Sequence, residues 1–380
     1  MNIKKISEIS EVDAESWNNL VGDDYPFIRH EFLLALEQSG AVSIKTGWQP
    51  QHLLVYSNNE LIGCMPLYLK FHSRGEYVFD HIWAQAFQQK GIEFYPKWLT
   101  AIPFTPCQGE RIYCKSGYES AAIFNLIFEY IQEEAERNAI SSWHCLFPEV
   151  YQATLLQSAG LSLRENVQFH WFNRNYRDFT DFLDTFNSRN RKKIKRERRR
   201  IIEQGIDIEK VPGREISNTQ LQAFYEFYQM TYLKKGMHPY LNKQFFIQIL
   251  ESMPEQILLV LATRNKNYVG AAFSFVSKFT LFGRYWGCFD EFHCLHFETC
   301  YYQGLEFCIK NNLKEFNSGA QGEHKLARGF EPVIAYSAHW FKHPGFAQAI
   351  DNFLQRETPA VEQYKKEAAS FLPFKNRLVT

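Results

Sequence analysis

The order of predicted elements in the first half of the chain recurs in the second half, and this repeat limits the possible folds most. Each half begins with helices and continues with an antiparallel meander, a helix and a strand. Helices and strands in this order predict an α/β protein (α+β, with mixed sheets) built from two similar domains. We expect domains at 1–173 and 174–344, with a basic helix at 188–204, and a helical cap at 345–380.

Length, charge, cysteine spacing and the length of apolar runs exclude several classes of protein. The chain has 380 residues, which is more than one core usually serves. Its 42 basic and 42 acidic residues cancel, so no DNA partner is expected from overall charge. The eight cysteines show no C-x-x-C pair and no zinc-like spacing, so no metal site is expected. The start lacks a secretory signal, and no run approaches ~20 apolar residues, so we expect a cytoplasmic protein with no membrane span.

Segment 319–330, GAQGEHKLARGF, holds the densest group of reactive side chains and follows a predicted strand at 313–318. Its glycines allow sharp turns, while an acid, an imidazole and two cations suit a reaction on a polar, anionic substrate. The alternative interpretation of this segment is a polar turn on the protein surface with no role in a reaction. The candidates are Glu323, His324 and Lys325 for catalysis, and Gln321 and Arg328 for substrate binding.

The basic helix carries the strongest local charge. SRNRKKIKRERRR (188–200) contains nine Lys/Arg and one Glu, with Ser188 as the predicted N-cap. Ile194 and Ile201 lie seven residues apart, which predicts a narrow apolar seam facing the protein. An anionic partner would relieve the repulsion among the cations, whereas a solvated helix face is the alternative. The candidates for contact with donor phosphates are Arg189, Arg191, Lys192 and Lys195.

Three further segments mix aromatic and polar side chains. The strand ending in RYWG and the helix that starts LHFE are predicted to line the mouth of a pocket. Alternatively, RYWG lies at a sheet edge with its aromatic rings in the core, and the start of the helix provides a cap and packing residues. The loop-rich segment GEYVFDHIW (75–83) would hold a sugar or peptide by hydrogen bonds and stacking, or else pack internally. The substrate-binding candidates in these segments are Arg284, Tyr285, Trp286, His296, Glu298, Tyr77, Asp80 and Trp83.

Several segments together resemble the FemAB-like branch of the GNAT acyltransferase superfamily, in particular the peptidoglycan biosynthesis/recognition group. The likeness rests on TGWQP, GEYVFDHIWA, PFTP, SRNRKKIKRERRR, LFGRYWG, HFETCYYQGLEFCI and GAQGEHKLARGF, and covers nearly the whole chain. It implies tandem GNAT-like domains with a cleft between them. It also implies transfer of an acyl or aminoacyl group to an amine on a small molecule or peptide.

One segment departs from the acetyl-CoA enzymes of that superfamily. Those enzymes bind the donor pyrophosphate with a glycine-rich loop, whereas residues 288–293 read CFDEFH, with no glycine and two acids. No tightly bound cofactor is expected. The expected donor substrate is an acyl-CoA or, as the resemblance to Fem-like enzymes implies, an aminoacyl-tRNA. P-loop, G-x-G-x-x-G, G-x-S-x-G and H-E-x-x-H motifs are all missing.

The expected reaction is an N-acyl transfer. His324 or Glu323 would act as the base, and Arg284 or Lys325 would stabilise the oxyanion. The alternatives are a non-catalytic module that recognises a peptidoglycan precursor or RNA, and a general nucleic-acid binder.

Overall fold

The computed structural model describes residues 1–78, 80–320 and 322–375. Its contacts divide the chain into two compact units. Unit 1 contains residues 1–166 and 334–363, and unit 2 contains residues 167–333 and the residues from Tyr364 onward. The expected domain borders at 173/174 and 344/345 follow the order of elements and stay a prediction.

In the first part of the chain, the described residues form nine strands and five α-helices. The strands are β1 (Asn2–Ile6), β2 (Trp48–Pro50), β3 (His52–Ser57), β4 (Glu60–Met65), β5 (Tyr68–Lys70), β6 (Lys97–Thr100), β7 (Tyr113–Cys114), β8 (Ser142–Leu146) and β9 (Ser162–Phe172). The helices are α1 (Ala14–Val21), α2 (His30–Gln38), α3 (His81–Gln89), α4 (Ser120–Arg137) and α5 (Val150–Ser158).

The remainder adds six strands and seven helices within the described residues. The strands are β10 (Ile206–Pro212), β11 (Ile257–Arg264), β12 (Asn267–Val276), β13 (Thr280–Cys288), β14 (Glu315–Asn317) and β15 (Glu331–Phe341). The helices are α6 (Phe179–Asp184), α7 (Ser188–Glu203), α8 (Asn218–Leu233), α9 (Lys243–Ser252), α10 (Leu295–Phe297), α11 (Gln303–Lys310) and α12 (Pro344–Ser370). A π-helical turn (Glu298–Tyr302) joins α10 to α11, and a 3₁₀ helix covers Glu323–Arg328.

Unit 1 contains an antiparallel sheet in the order β1-β3-β4-β7 and strands paired in the order β15-β8-β6-β5-β2. The β6–β8 pair is parallel and the other pairs described here are antiparallel. Helix α4 covers this core because Ile123, Ile127 and Ile131 recur every four residues on one face. They belong to one buried cluster with Leu53 of β3 and Trp143 of β8.

Unit 2 contains strands paired in the order β10-β11-β12-β13-β14-β9. Strands β11 to β13 form the predicted three-stranded meander, and β10, which was not predicted, adds a fourth antiparallel strand beside β11. Strand β14 then lies parallel to β13, since the helix from α10 to α11 carries the chain back across the sheet. The result is a mixed sheet, as the sequence predicts.

The same hairpin chemistry operates in both units. Asn58 and Asn59, between β3 and β4, have φ values of 49° and 64°. Asn265 and Lys266, between β11 and β12, have φ values of 50° and 65°. Two consecutive left-handed residues are typical of the tight turn that fits the twist of paired strands, and asparagine tolerates that conformation. The polar turns predicted between these strands are confirmed.

The N-cap of helix α7 lies one residue earlier than predicted. The side chain of Asn187, not Ser188, accepts a hydrogen bond from the backbone N–H of Asn190 at 3.0 Å. The predicted cap at Ser188 is therefore wrong. The apolar seam is confirmed, because Ile194 and Ile201 are both buried. Glu197, the acid of the segment, is buried on the same side of the helix.

Candidate functional site

A cavity in unit 2 opens where the parallel strands β13 and β14 separate. They pair only from Thr280 and Glu315 to Phe282 and Asn317, after which β13 continues alone to Cys288. Gly283 marks the point of separation, where an added Cβ would lie 3.1 Å from the ring of Phe316. The cavity has a volume of about 120 Å³. It is lined by Ala272, Phe273, Ser274, Gly283, Arg284, Tyr285, Trp286, His296, Cys300, Tyr301 and Ser318.

A β-bulge shapes the strand side of this cavity. Phe273 pairs with Tyr285 and Ser274 pairs with Gly283, so Arg284 is the extra residue on β13. A bulge re-aims the side chains around it, and here Arg284 and Tyr285 both line the cavity. Three residues predicted to bind substrate therefore line one opening: Arg284, Tyr285 and Trp286.

The π-helical turn shapes the other side. A single π turn inside an α-helix often marks a functional site, because it widens the helix locally. Here the hydroxyl of Thr299 donates to the carbonyl oxygen of Leu295 at 2.9 Å within this turn. His296, Cys300 and Tyr301 all line the cavity, and Tyr301 also belongs to the buried core of unit 2.

Two histidines and a tyrosine form the chemical centre of the site. Tyr301 Oη lies 2.9 Å from His324 Nε2, and the ring centroids of His296 and His324 are 6.0 Å apart. Burial, with help from the charges of His324, Arg328 and Lys325, lowers the pKa of His296 to about 4. Burial, Arg328 and Lys325 also lower the pKa of His324. Both imidazoles are therefore neutral at pH 7, and His324 is exposed to solvent.

Tyr301 supplies the complementary proton donor. Burial raises the pKa of its phenol far above neutrality, so the hydroxyl keeps its proton at every pH of interest. An imidazole that accepts a proton and a phenol that holds one are thus in hydrogen-bond contact beside the cavity. Such a pair can take a proton from one reacting atom and deliver one to another.

The other members of segment 319–330 are engaged in internal contacts. Glu323 is exposed and accepts a hydrogen bond from Tyr364 Oη at 2.7 Å. Lys325 is buried, and its Nζ donates to the carbonyl oxygen of Gly319 at 2.7 Å. Arg328 is buried and pairs with Glu197 at 2.8 Å. Gln321 lies outside the described residues. Of the predicted catalytic residues, His324 is the one placed with the cavity residues.

Glu298 also has an internal partner. Its carboxylate is buried and accepts from Arg198 Nη2 at 3.0 Å and from Gln303 Nε2 at 2.6 Å. The sequence indicated a substrate-binding role from its position near the start of a helix. Its ion pair with Arg198, 100 positions earlier in the chain, could not be predicted from the sequence. We infer that Glu298 holds the π turn against α7.

Helix α7 presents a cationic face, formed by Arg189, Lys192, Lys193, Lys195, Arg196 and Arg199, which borders an open concavity. Among the residues that the structure describes, the first five of these make no ion pair. Arg199 contacts Glu203 at 3.4 Å, and Arg191, another predicted donor-binding residue, contacts Asp184 at 3.1 Å. The predicted residues Arg189, Lys192 and Lys195 therefore belong to the cationic face, whereas Arg191 has an acidic partner.

The predicted substrate residues of unit 1 have a different environment. Tyr77 is exposed, with φ 61°. Asp80 is buried against Lys97, 2.5 Å from its Nζ. Trp83 lies on helix α3 rather than on the expected long loop, because Trp83 and Phe87 form an apolar pair one turn apart. Its buried ring contacts His339 at 4.7 Å between centroids. Asp80 and Trp83 thus make contacts inside unit 1.

The described residues contain neither a cluster of metal ligands nor a helix that could span a membrane. Within ranges 1–78, 80–320 and 322–375, no three His, Cys, Asp or Glu side chains come together as a metal site would require. Across the same part of the chain, every helix falls short of the length or apolar character needed to cross a bilayer.

The sequence profile of a known family matches residues 8–376 of this chain. That family is FemAB-like, described as peptidoglycan biosynthesis/recognition. The chain belongs to the FemAB-like family. The resemblance seen in its motifs is therefore confirmed over nearly the full length. None of the curated proteins matches it.

Solved structures show the fold. FemX shares 12% identity at a TM-score of 0.52, with 92% of this chain and 100% of FemX covered. The C-terminal domain (DUF2156) of a putative lysylphosphatidylglycerol synthetase from Agrobacterium fabrum shares 10% identity at a TM-score of 0.54, with 92% and 97% covered. A tandem GNAT protein from the clavulanic acid biosynthesis pathway shares 8% identity at 0.48, with 90% and 99% covered. The predicted fold class, an α/β protein with mixed sheets and a Fem-like fold, is confirmed.

Proposed function

We propose that this FemAB-like protein is an N-acyltransferase that moves an acyl or aminoacyl group from an activated donor to an amine. The observation that carries the proposal is the contact between neutral His324 and protonated Tyr301, beside the cavity where β13 and β14 separate. A gap between parallel strands gives a reacting carbonyl access to backbone groups of both strands. The family description and the FemX-like fold support the same class of reaction.

The reaction would proceed in a ternary complex. The amine nitrogen attacks the carbonyl carbon of an ester or thioester, forming a C–N bond, while His324 takes a proton from that nitrogen. The C–O or C–S bond then breaks, and Tyr301 gives its proton to the leaving oxygen or sulfur, after which His324 re-protonates Tyr301. Arg284 at the bulge would stabilise the charge that develops on the carbonyl oxygen.

The cationic face of α7 supports a donor that carries phosphates. An acyl-CoA and an aminoacyl-tRNA both do so, and unpaired cations on one helix face attract either of them. The loop after β13 lacks the glycines that would wrap a pyrophosphate and contains Asp290 and Glu291. We therefore place the donor phosphates at Arg189, Lys192 and Lys195, and favour the aminoacyl-tRNA donor. The acceptor would be an amine on a peptide or small molecule, such as a peptidoglycan precursor.

The test is a transfer assay with purified protein. Labelled acyl-CoA and aminoacyl-tRNA donors would be combined with amine acceptors, including peptidoglycan precursor peptides, and products identified by mass spectrometry. His324→Gln should lower kcat at least about 100-fold, the usual contribution of a positioned base. The matched control is His238→Gln, which changes an exposed histidine of unit 2 outside the cavity and should keep kcat within about two-fold.

The same assay tests the alternative functions. Binding of a precursor or RNA without turnover, unchanged by His324→Gln, would identify a recognition module and contradict the proposed transferase. Binding of any nucleic acid that depends mainly on the cationic face and weakens steeply with salt would identify a general nucleic-acid binder.

A further inference from the structure

We propose that Glu197 and Arg328 form a positioning pair that fixes His324 for the proposed reaction and ties it to helix α7. The inference rests on the proposed function for its kinetic consequence, although its structural part stands by itself. Neither residue lines the cavity, so we describe both as positioning residues.

The first element of the pair is the buried acid of the basic helix. Glu197 shares its side of α7 with the buried Ile194 and Ile201, three residues before it and four after it. Its Oε2 accepts from Arg328 Nη2 at 2.8 Å and also from the hydroxyl of Tyr302 in the π turn. The one acid among nine cations is therefore directed into the unit, where it receives two hydrogen bonds.

The second element connects this acid to the imidazole. Arg328 Nη1 donates to the backbone carbonyl oxygen of His324 at 2.8 Å. The guanidinium lies over the ring of Phe297, 3.5 Å from its centroid, and the Phe297 and His324 rings are 5.8 Å apart. One guanidinium thus holds the backbone of His324 and an aromatic ring beside its side chain.

The segment needs such a tether because the glycines at its two ends allow the backbone many conformations. The 3₁₀ helix Glu323–Arg328 is flanked by Gly322 (φ 119°) and Gly329 (φ 83°), both in the region that favours glycine. His324 is exposed, so packing alone does not fix its ring. Without the Arg328 bond, we expect the ring to sample positions in which Nε2 leaves Tyr301. A displacement of a catalytic group by about 1 Å strongly lowers the rate of a reaction that needs aligned groups.

The electrostatic surroundings of His324 give the proposal a readout that does not need a substrate. The charged and titratable groups facing it are Arg328 and Lys325 on its own segment and His296 and Tyr301 on the π-turn helix. Arg328 is the larger of the two charges that lower the pKa of His324. Removing the guanidinium should therefore raise that pKa toward 6.5, its ordinary value.

The decisive variant is the double substitution Glu197→Met/Arg328→Met. Replacing both members of a buried ion pair with apolar side chains generally preserves folding, whereas removal of one member leaves an uncompensated charge. We expect the variant to fold, as judged by circular dichroism and thermal unfolding. The pKa of His324, followed by NMR of labelled histidine and assigned with His324→Gln, should rise. In the transfer assay kcat should fall more than ten-fold, with KM changed less than three-fold.

A second variant, Arg328→Lys, separates position from charge. The ammonium keeps the positive charge but lacks the fork that bonds Glu197 and His324 together. We expect a low His324 pKa, a shifted His324 ring resonance at pH 7 and a kcat several-fold below wild type. Arg174→Met serves as the control, since it breaks another ion pair of unit 2, with Glu331, without a contact to His324. It should leave both the His324 pKa and kcat unchanged.

The outcomes separate this inference from the proposed function. A folded double variant whose His324 pKa equals that of wild type overturns the positioning pair, whatever the activity. If the double variant fails to fold, Arg328→Lys decides, because an unchanged His324 resonance overturns the inference and a shifted one supports it. If wild type transfers no acyl group at all, the proposed function fails, while the titration and the resonance still test the pair.

Discussion

The two units bury charge in opposite ways. In unit 1, the Nζ of Lys97 lies 2.7 Å from Glu76 and 2.5 Å from Asp80, and all three side chains are buried. In unit 2, the buried pair of Glu197 and Arg328 leads instead to an exposed imidazole beside a cavity. The charges of the first group are paired with one another, whereas the second group is connected to an imidazole that can react.

This difference shows why buried charge alone does not identify a site. In unit 1, burial raises the pKa of Glu76 to about 6 and lowers that of its neighbour Lys70 to about 7, and in unit 2 burial lowers the pKa of His296 to about 4. In unit 2, groups with a perturbed pKa, such as His296 and Tyr301, line the cavity beside His324, whereas in unit 1 the carboxylates of Glu76 and Asp80 are paired with Lys97. Substitutions in unit 1 should therefore change stability, and substitutions around His324 should change activity.

The largest stability effect should come from Lys97→Met. It removes the cation shared by two buried carboxylates, so we expect the free energy of unfolding to fall by about 3–5 kcal/mol in urea denaturation. Lys115→Met, which breaks an exposed pair with Glu60 in the same unit, should change it by no more than about 1 kcal/mol. A loss from Lys97→Met as small as that of the control would mean that the cluster is not closed as described.

A second test uses the buried histidines of unit 1. Burial lowers the pKa of His144 and of His339, whose Nδ1 atoms are 2.7 Å apart. Since the folded-state pKa lies below the unfolded value of 6.5, the stability is complete above pH 6.5 and is lost as the pH falls. Each histidine should contribute about 1.4 kcal/mol to the loss between pH 7.5 and 5.5.

The measurement is urea denaturation at pH 7.5 and 5.5. His339→Gln should reduce the loss on acidification by about 1.4 kcal/mol relative to wild type. The exposed histidine variant His238→Gln should leave the loss unchanged. Equal pH dependence in wild type and His339→Gln would show that these imidazoles are charged or hydrated in the folded protein.

A third test concerns the helix that carries the cationic face in unit 2. Asn187→Ala should lower the free energy of unfolding by about 1 kcal/mol, because the Asn187 side chain caps α7. Ser188→Ala, one residue later, should have little effect. The reverse order of the two effects in thermal or urea unfolding would restore Ser188 as the cap.

The smallest effect should come from single cations of α7. Lys192→Ala should reduce the magnitude of the slope of log affinity for tRNA against log salt by about 1, because one phosphate contact is lost. Lys235→Ala, an exposed lysine after α8, should leave the slope unchanged. Identical slopes for both variants, measured by filter binding at several salt concentrations, would remove the cationic face from the donor site.

Much of the fold could be predicted from local pattern. The hairpin turns at Asn58–Asn59 and Asn265–Lys266 and the seam of Ile194 and Ile201 depend on residues close in sequence. The helical position of Trp83 was missed, although the pair with Phe87 carried the signal. The pairing of β15 with β8 joins residues almost 200 positions apart, and no local pattern reveals it.

The candidate site was predictable in its residue types but not in its arrangement. His324, Arg284, Trp286 and His296 were identified from the sequence. The structure places the last three in the lining of one cavity, and the His324 ring contacts that of His296 beside it. Tyr301, a buried core residue, was not among the candidates, because its contact with His324 depends on a π turn that apolar spacing does not encode.

By itself, the sequence determined the class of fold, the family and the presence of a strongly cationic helix, since periodicity, turn residues and charge density act between near neighbours. Only the tertiary structure decided which charges are neutralised. Glu298 meets Arg198, and Arg328 meets Glu197, across about 100 or more residues. The free energy of an ion pair depends on distance and burial in space, and the sequence order of its partners specifies neither.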